Sequence, residues 1–198
     1  MTTWSPSHGA LIVDEANRVS INFHPLPEGR FALSRTCEGT AEYSGRGGRQ
    51  LYTHALVIDA ETLARSGHQP LAIYRDAMAL GYLRYQAEPA PMLKPVRLSS
   101  IYSRADPSAC SARARELGFG SIESTAARLR SDQSITFSYG GDRIELVECL
   151  LGVLPPEIVP KVSFATSLQP SAVRPYRLLL VTDRREPAPA DSRARLGV

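Results

Sequence analysis

Residues 19–34 read VSINFHPLPEGRFALS, and they give the clearest indication of the fold class. Apolar and polar residues alternate over 19–24, which predicts a β-strand with one buried face. The segment 26–29 has proline at its second position and glycine at its fourth, as a type I turn prefers. The alternation resumes over 30–34, so the whole stretch is predicted to form an antiparallel hairpin.

Four later segments also have the pattern of strands. Residues 51–58 are apolar on both faces, which predicts a strand covered on both sides of the sheet. Residues 135–139 alternate and predict a half-exposed strand, and residues 162–168 alternate in the same way. Residues 176–182 are almost wholly apolar and predict a central strand.

Helical patterns lie between these strands. Asp59, Asp106 and Asp142 each precede a helical segment and have the side chain that caps a helix start. The predicted helices cover 59–67, 70–85, 106–118, 122–129 and 142–155. This order of elements predicts an α+β fold, with α/β as the alternative. We expect a mixed, largely antiparallel sheet with helices packed on it.

The domain organisation follows from length and composition. A chain of 198 residues has the length of one domain, and we predict a single compact domain over 1–183. Residues 86–95 contain three prolines and are a candidate seam within it. Residues 184–198 are rich in proline, alanine and arginine and are predicted to be a disordered tail.

The overall charge excludes strong nonspecific binding of polyanions. The formal net charge is +3, and the predicted tail carries much of it, with four arginines against two acidic residues. A nearly neutral body lacks the field that attracts nucleic acid. Seven basic residues between Lys94 and Arg130 make the one local excess, but only two aromatic rings accompany them. We interpret them as helix surface, and nucleic acid is not a favoured partner.

The cysteines and the N-terminus indicate the compartment. The cysteines are Cys37, Cys110 and Cys149, an odd number with wide spacing, so neither a disulfide framework nor a zinc knuckle is predicted. The first residues lack a secretory signal pattern, and no apolar run is long enough to cross a membrane. We therefore expect a cytoplasmic protein that does not bind membranes.

The most suggestive motif for binding is the run Arg46, Gly47, Gly48 and Arg49. Backbone amides in such a loop can form a nest for an anion, and the two arginines can bind phosphate or carboxylate. No Lys-Ser or Lys-Thr pair follows, so the run is not a P-loop. The alternative interpretation is a flexible connection with solvated arginines.

His54 is the best candidate for acid–base chemistry. It lies in a predicted strand with Tyr52 on the same face, where it can act as a general base or bind a ligand. The alternative is a hydrogen-bonded histidine of the core. His8, His24 and Cys37 could join it around a metal only by converging in the fold, since their spacing matches no metal motif. We predict no metal and no cofactor.

Several segments together resemble a known family. They are 42–57 (EYSGRGGRQLYTHALV), 150–156 (LLGVLPP), 162–168 (VSFATSL) and 174–178 (RPYRL). They resemble the N-terminal modules of the GTPase-associated protein family of bacterial conflict and signalling systems. The resemblance implies an accessory module that works beside a separate GTPase, which would bind the nucleotide itself.

Three functional hypotheses remain open at this stage. The first is a non-enzymatic cytoplasmic adaptor that binds a protein partner, such as a separate GTPase, through 46–49 with Tyr52 and His54. The second is a hydrolase or transferase that uses His54 as its general base. The third, nucleic-acid binding through 94–130, predicts a steep dependence of affinity on salt.

Overall fold

The computed structural model describes residues 10–14, 17–41, 49–87, 95–98 and 101–181. Six strands form one sheet: β1 (Val19–Pro25), β2 (Phe31–Ala41), β3 (Arg49–Ile58), β4 (Ile135–Ser138), β5 (Phe164–Ala165) and β6 (Leu178–Val181). Their order across the sheet is β3-β2-β1-β5-β6-β4. The first four strands of this order pair antiparallel, and β6 pairs parallel with both β5 and β4. The predicted mixed, largely antiparallel α+β fold is confirmed.

Five helices complete the described fold: α1 (Ala60–Arg65), α2 (Pro70–Ala79), α3 (Pro107–Glu116), α4 (Ile122–Arg130) and α5 (Arg143–Gly152). Asp59, Asp106 and Asp142 cap α1, α3 and α5, as predicted. In α1, for example, the carboxylate of Asp59 accepts a hydrogen bond from the amide of Thr62 at 2.7 Å. These caps satisfy amides that have no partner within the helix.

The helix α2 is shorter than predicted. It ends at Ala79 rather than continuing to Tyr85. Gly81 has a φ of +85°, a conformation that glycine adopts without strain. The amide of Tyr82 then donates back to the carbonyl of Ala77 at 2.8 Å, which closes the helix end.

The hairpin between β1 and β2 is confirmed, but its turn is not of type I. Glu28 and Gly29 both have positive φ, at 62° and 68°. The amide of Arg30 donates to the carbonyl of Pro27, so the turn has the geometry of type I′. A type I′ turn matches the right-handed twist of the two strands, whereas type I would separate them.

The strand β1 is buried on both faces, so the predicted exposed face is wrong. Ser20, Asn22 and His24 are all buried. The side-chain amide of Asn22 donates to the hydroxyls of Ser34 and Thr36 on β2, each at 3.2 Å. Because the protein covers this face of β1 as well, its polar side chains must find partners inside the protein.

The strand β3 is less buried than predicted, whereas β1 is more buried than predicted. It was predicted to be covered on both sides, but it lies at the edge of the sheet. Leu56 and Ile58 are buried, while Ala55 and Val57 are exposed. A run of apolar residues does not distinguish a central strand from an edge strand with exposed side chains.

The core lies between the sheet and the helices. Phe23 of β1 stacks on Phe31 and on Phe164 of β5, with ring centroids 5.3 and 5.8 Å apart. Leu146 and Leu150 of α5 belong to the same buried cluster. The strand β5 is shorter than the predicted 162–168, and β6 is internal, as predicted.

Two predicted features fall partly or wholly outside the described residues. Residues 88–94 of the candidate seam and the predicted tail at 184–198 are not among them. The single domain over 1–183 therefore stays a prediction. None of the helices in the described ranges has the length and apolar character needed to cross a bilayer.

Candidate functional site

A groove of about 1060 Å³ runs beside β3. Its lining consists of residues 54–59, Thr62, Arg65, residues 80–82, Gln86 and residues 95–98. Consecutive residues of β3 point to opposite faces of the sheet. Because both sets line the groove, it follows the edge of the strand rather than one face.

The backbone of β3 is available along this groove. The strand pairs with β2 on its inner side, and no described residue makes a backbone hydrogen bond to its outer side. In an antiparallel edge strand, every second residue directs both its N–H and its C=O away from the sheet. Such an edge is a template for pairing with another strand.

His54 lies where the groove begins. Its ring faces the ring of Tyr52 edge-on, with centroids 6.3 Å apart, so the two residues share one face. Its Nδ1 is buried and has no hydrogen-bond partner among the described residues. Burial lowers the pKa of His54 below its ordinary value of 6.5, because desolvation disfavours the charged ring. The imidazole is therefore neutral at pH 7.

Aromatic and basic side chains surround this end of β3. Tyr52 packs edge-on against Tyr85, with ring centroids 5.1 Å apart. In the β2–β3 register, Tyr52 lies opposite Cys37 and His54 lies opposite Arg35. The guanidinium of Arg35 donates to the Sγ of Cys37 at 3.2 Å. The surroundings of His54 are thus one cation, one thiol and two phenol rings.

Of the predicted Gly-Arg loop, the structure describes Arg49. Arg46, Gly47 and Gly48 lie outside the described residues. Arg49 is exposed, begins β3 and lies 4.0 Å from the carboxylate of Glu38. At roughly 3.4 Å per residue, Arg49 is about 17 Å along the strand from His54. A ligand that contacts both must be extended.

The groove also contains Arg65, which the sequence did not indicate as a site residue, and Arg97, which belongs to the basic stretch 94–130. Arg65 ends α1 and Arg97 lies in the segment 95–98, and both are exposed. Neither forms a salt bridge with a described residue. Asp59, also in the lining, accepts hydrogen bonds from Thr62, which lower the pKa of its carboxyl and keep it ionised as a helix cap. No sequence spacing relates the two arginines, since the fold alone brings them to β3.

The described residues of this region form neither a catalytic group around His54 nor a metal site. Over the described ranges, no serine, cysteine or carboxylate forms a hydrogen bond with His54, and no three His, Cys, Asp or Glu side chains converge as a metal site. By the strand register, His24 and His54 lie on opposite faces of the sheet. His8 lies outside the described residues.

The basic stretch that raised the nucleic-acid hypothesis is paired in part, at two of its described arginines. Arg113 binds the carboxylates of Glu116 and Glu145, and Arg115 binds Glu123. Lys94, at the start of the stretch, lies outside the described residues. The described part of this surface therefore presents less free positive charge than the count of arginines indicates.

The fold and the groove define an α+β module with an exposed edge strand. Residues 1–96 match the family model of the GTPase-associated protein 1 N-terminal domain, type 2. This match confirms the resemblance found in the sequence. It covers β1, β2, β3, α1, α2 and most of the groove lining. No curated protein and no solved structure matches the chain significantly.

Proposed function

We propose that the chain is an adaptor module of a bacterial GTPase-associated system, which binds a protein partner without catalysing a reaction. The observation that supports the proposal is the groove along the outer edge of β3, where no described residue pairs with the strand; most of its lining lies within the region that matches the family. The family description supports a link to a GTPase. The sequence has no P-loop, so nucleotide binding belongs to the partner.

The Gly-Arg run extends this binding surface. Arg46, Gly47, Gly48 and Arg49 lead directly into β3, followed by Tyr52 and His54. Arginine side chains and glycine-rich backbone suit an anionic group on the partner. The run therefore supplies one end of an extended contact, with the groove at the other end.

A cytoplasmic location belongs to the same proposal. Cys37, Cys110 and Cys149 are all free thiols, which suits a reducing compartment. Paired arginines on α3 disfavour nucleic acid as the partner. We place the module in the bacterial cytoplasm beside a separate GTPase.

The test is affinity capture of partners from lysate of the native bacterium. The full chain is used as bait, beside the double variant Arg46→Ala/Arg49→Ala and the matched control Arg130→Ala. Arg130 is an exposed arginine at the end of α4. We expect the wild type and the control to capture a protein with GTPase motifs, identified by mass spectrometry. The double variant should capture at least tenfold less, with an unchanged melting temperature.

Two results would contradict the proposal. If the wild type captures no GTPase, the proposed adaptor role is wrong. If the double variant and the control capture equal amounts, the Gly-Arg run is not part of the binding surface.

The alternative is a hydrolase or transferase with His54 as base. The buried Nδ1 without a described partner and the lowered pKa favour it, because a neutral imidazole at pH 7 can accept a proton. An activated ester such as p-nitrophenyl acetate is the probe. Turnover above background that is lost in His54→Gln would support this alternative.

A further inference from the structure

We infer that the partner adds an extended acidic segment to the outer edge of β3 as a further strand of the sheet, and that Arg65 and Arg97 bind its carboxylates. This inference rests on the proposed adaptor function and specifies the chemistry of the partner. The recognition combines backbone pairing with side-chain contacts, as in other cases of strand addition.

The backbone of β3 supplies the first argument. Its outer N–H and C=O groups face the groove and have no backbone partner among the described residues. A guest strand at the usual spacing of roughly 4.8 Å would satisfy them. The groove follows six consecutive residues, 54–59, so it accepts a segment of about 20 Å.

The lining of the groove also suits a peptide. Residues 54–58 of β3 and the adjoining Asp59 contribute to it without interruption. A lining that follows one strand suits an extended chain better than a compact ligand.

Exposed apolar side chains supply a further argument. Val57 is 59% exposed, Leu80 56% and Tyr82 36%, and all three line the groove. Most large apolar residues of the described chain are buried, and clusters of exposed ones mark interaction surfaces. Apolar side chains of a guest strand would cover these three.

The charged residues of the groove indicate which polar side chains the partner's segment has. Arg65 and Arg97 form no salt bridge with a described residue. The ionised carboxylate of Asp59 caps α1 and interacts electrostatically with Arg65, so the two arginines still leave an excess of positive charge in the groove lining. Arginine binds carboxylates through paired hydrogen bonds. A second copy of the chain is not the occupant that this predicts, because residues 49–58 of β3 contain no acidic side chain.

The first experiment uses three capped octapeptides with alternating residues: valine–glutamate, valine–glutamine and valine–lysine. Binding to the full chain is followed by NMR shifts and hydrogen exchange of backbone amides. We expect the glutamate peptide to bind at least tenfold more tightly than the other two. Its binding should slow the exchange of alternate amides of β3, because only the outward N–H groups gain partners.

Two N-methylated forms of the glutamate peptide test the strand pairing. In one form the odd-numbered amides are methylated, and in the other the even-numbered amides. A strand pairs through one edge, so one form should lose binding and the other should retain it. Equal binding of both forms to β3 would overturn strand addition.

Variants of the protein test the arginines. Arg65→Gln and Arg97→Gln should each weaken binding of the glutamate peptide at least fivefold, while Arg130→Gln leaves it unchanged. The inference is overturned if neither substitution weakens binding, or if no peptide binds at millimolar concentration. It is also overturned if the β3 amides are protected in a concentration-dependent dimer without peptide.

These outcomes separate the inference from the adaptor role. If lysate capture depends on Arg46 and Arg49 but the peptides do not bind, the adaptor role stands and the acidic strand is wrong. If the glutamate peptide binds as described but no GTPase is captured, the groove accepts acidic strands and the adaptor role is wrong.

Discussion

Arg143, the first residue of α5, forms an ion pair with Asp14 in the segment before β1. The Arg143 side chain is fully buried, while that of Asp14 is 22% exposed. The guanidinium also donates to the carbonyl of Tyr139 at 2.8 Å and to the hydroxyl of Ser167 at 2.9 Å. Burial acts to raise the pKa of Asp14, but hydrogen bonds from Asn17 and Arg143 outweigh it and hold that pKa below its ordinary value. The pair therefore joins the N-terminal segment to the helical layer.

The first prediction concerns this pair. Asp14→Ala should lower the free energy of unfolding by about 3 kcal/mol, because it removes a carboxylate that binds the buried Arg143 guanidinium. Adding Arg143→Met should restore part of the loss, since the buried charge itself is then removed. Urea denaturation at pH 7 measures both. The control Glu123→Ala breaks an exposed pair and should lose no more than about 1 kcal/mol. Equal losses for Asp14→Ala and the control would contradict the prediction.

The second prediction concerns pH and His24. Burial lowers the pKa of His24 from 6.5 to about 4. The unfolded chain therefore takes up a proton below about pH 6.5, while the folded chain does not until about pH 4. As the pH is lowered from about 6.5 to about 4, the free energy of unfolding should decrease by up to about 3 kcal/mol. Above about pH 6.5 His24 should contribute no further change. Burial also lowers the pKa of His54, which adds a loss of the same sign.

The measurement is the free energy of unfolding by urea between pH 8 and pH 4, for the wild type and His24→Gln. The variant should have a flatter profile because its side chain does not titrate. Identical slopes in the two proteins would show that another group causes the loss.

The third prediction concerns the close approach of α3 and α5. A methyl group at Gly152 would overlap the Sγ of Cys110 and lie 3.3 Å from the methyl group of Ala105. Gly152→Ala should therefore lower stability by about 1–3 kcal/mol through overpacking, and the addition of Cys110→Ala should recover part of it. Gly120 has open space around it, so Gly120→Ala is the matched control. Thermal unfolding measures all three, and a Gly152→Ala melting temperature equal to that of the control would contradict the overlap.

The fourth prediction tests the single domain that we propose for 1–183. The family match ends at residue 96, but the sheet continues through β5, β6 and β4. The amide of Ile21 donates to the hydroxyl of Thr166 at 2.9 Å, and the amide of Thr166 donates to the carbonyl of Ile21 at 3.1 Å. Without these partners, a fragment of residues 1–96 should show no cooperative thermal transition, whereas 1–183 should unfold in one. Cooperative unfolding of 1–96 would divide the chain into two domains.

Much of the fold could be predicted because its signals are local. The hairpin over 19–34, the three aspartate caps and the stops at Gly67 and Gly118 depend on residues a few positions apart. The end of α2 was predicted wrongly although its signal is also local. Gly81 follows the end of the helix, but the apolar pattern continues past it to Tyr85. Helix periodicity persists beyond a glycine that terminates the helix.

The candidate site was only partly predictable. Tyr52 and His54 share a face because they are two residues apart in a strand. Arg65 and Arg97 reach the same groove from α1 and from the segment 95–98, and no periodicity connects residues so far apart.

Residue order alone determined the elements, their caps and the family to which residues 1–96 are similar, since each depends on neighbours along the chain. Which strands are central depends on the tertiary structure. It buried the polar face of β1, exposed β3 at an edge and enclosed the charge of Arg143. The physical reason is that burial depends on which distant segments pack together, and pairs such as Ile21 and Thr166 are 145 residues apart.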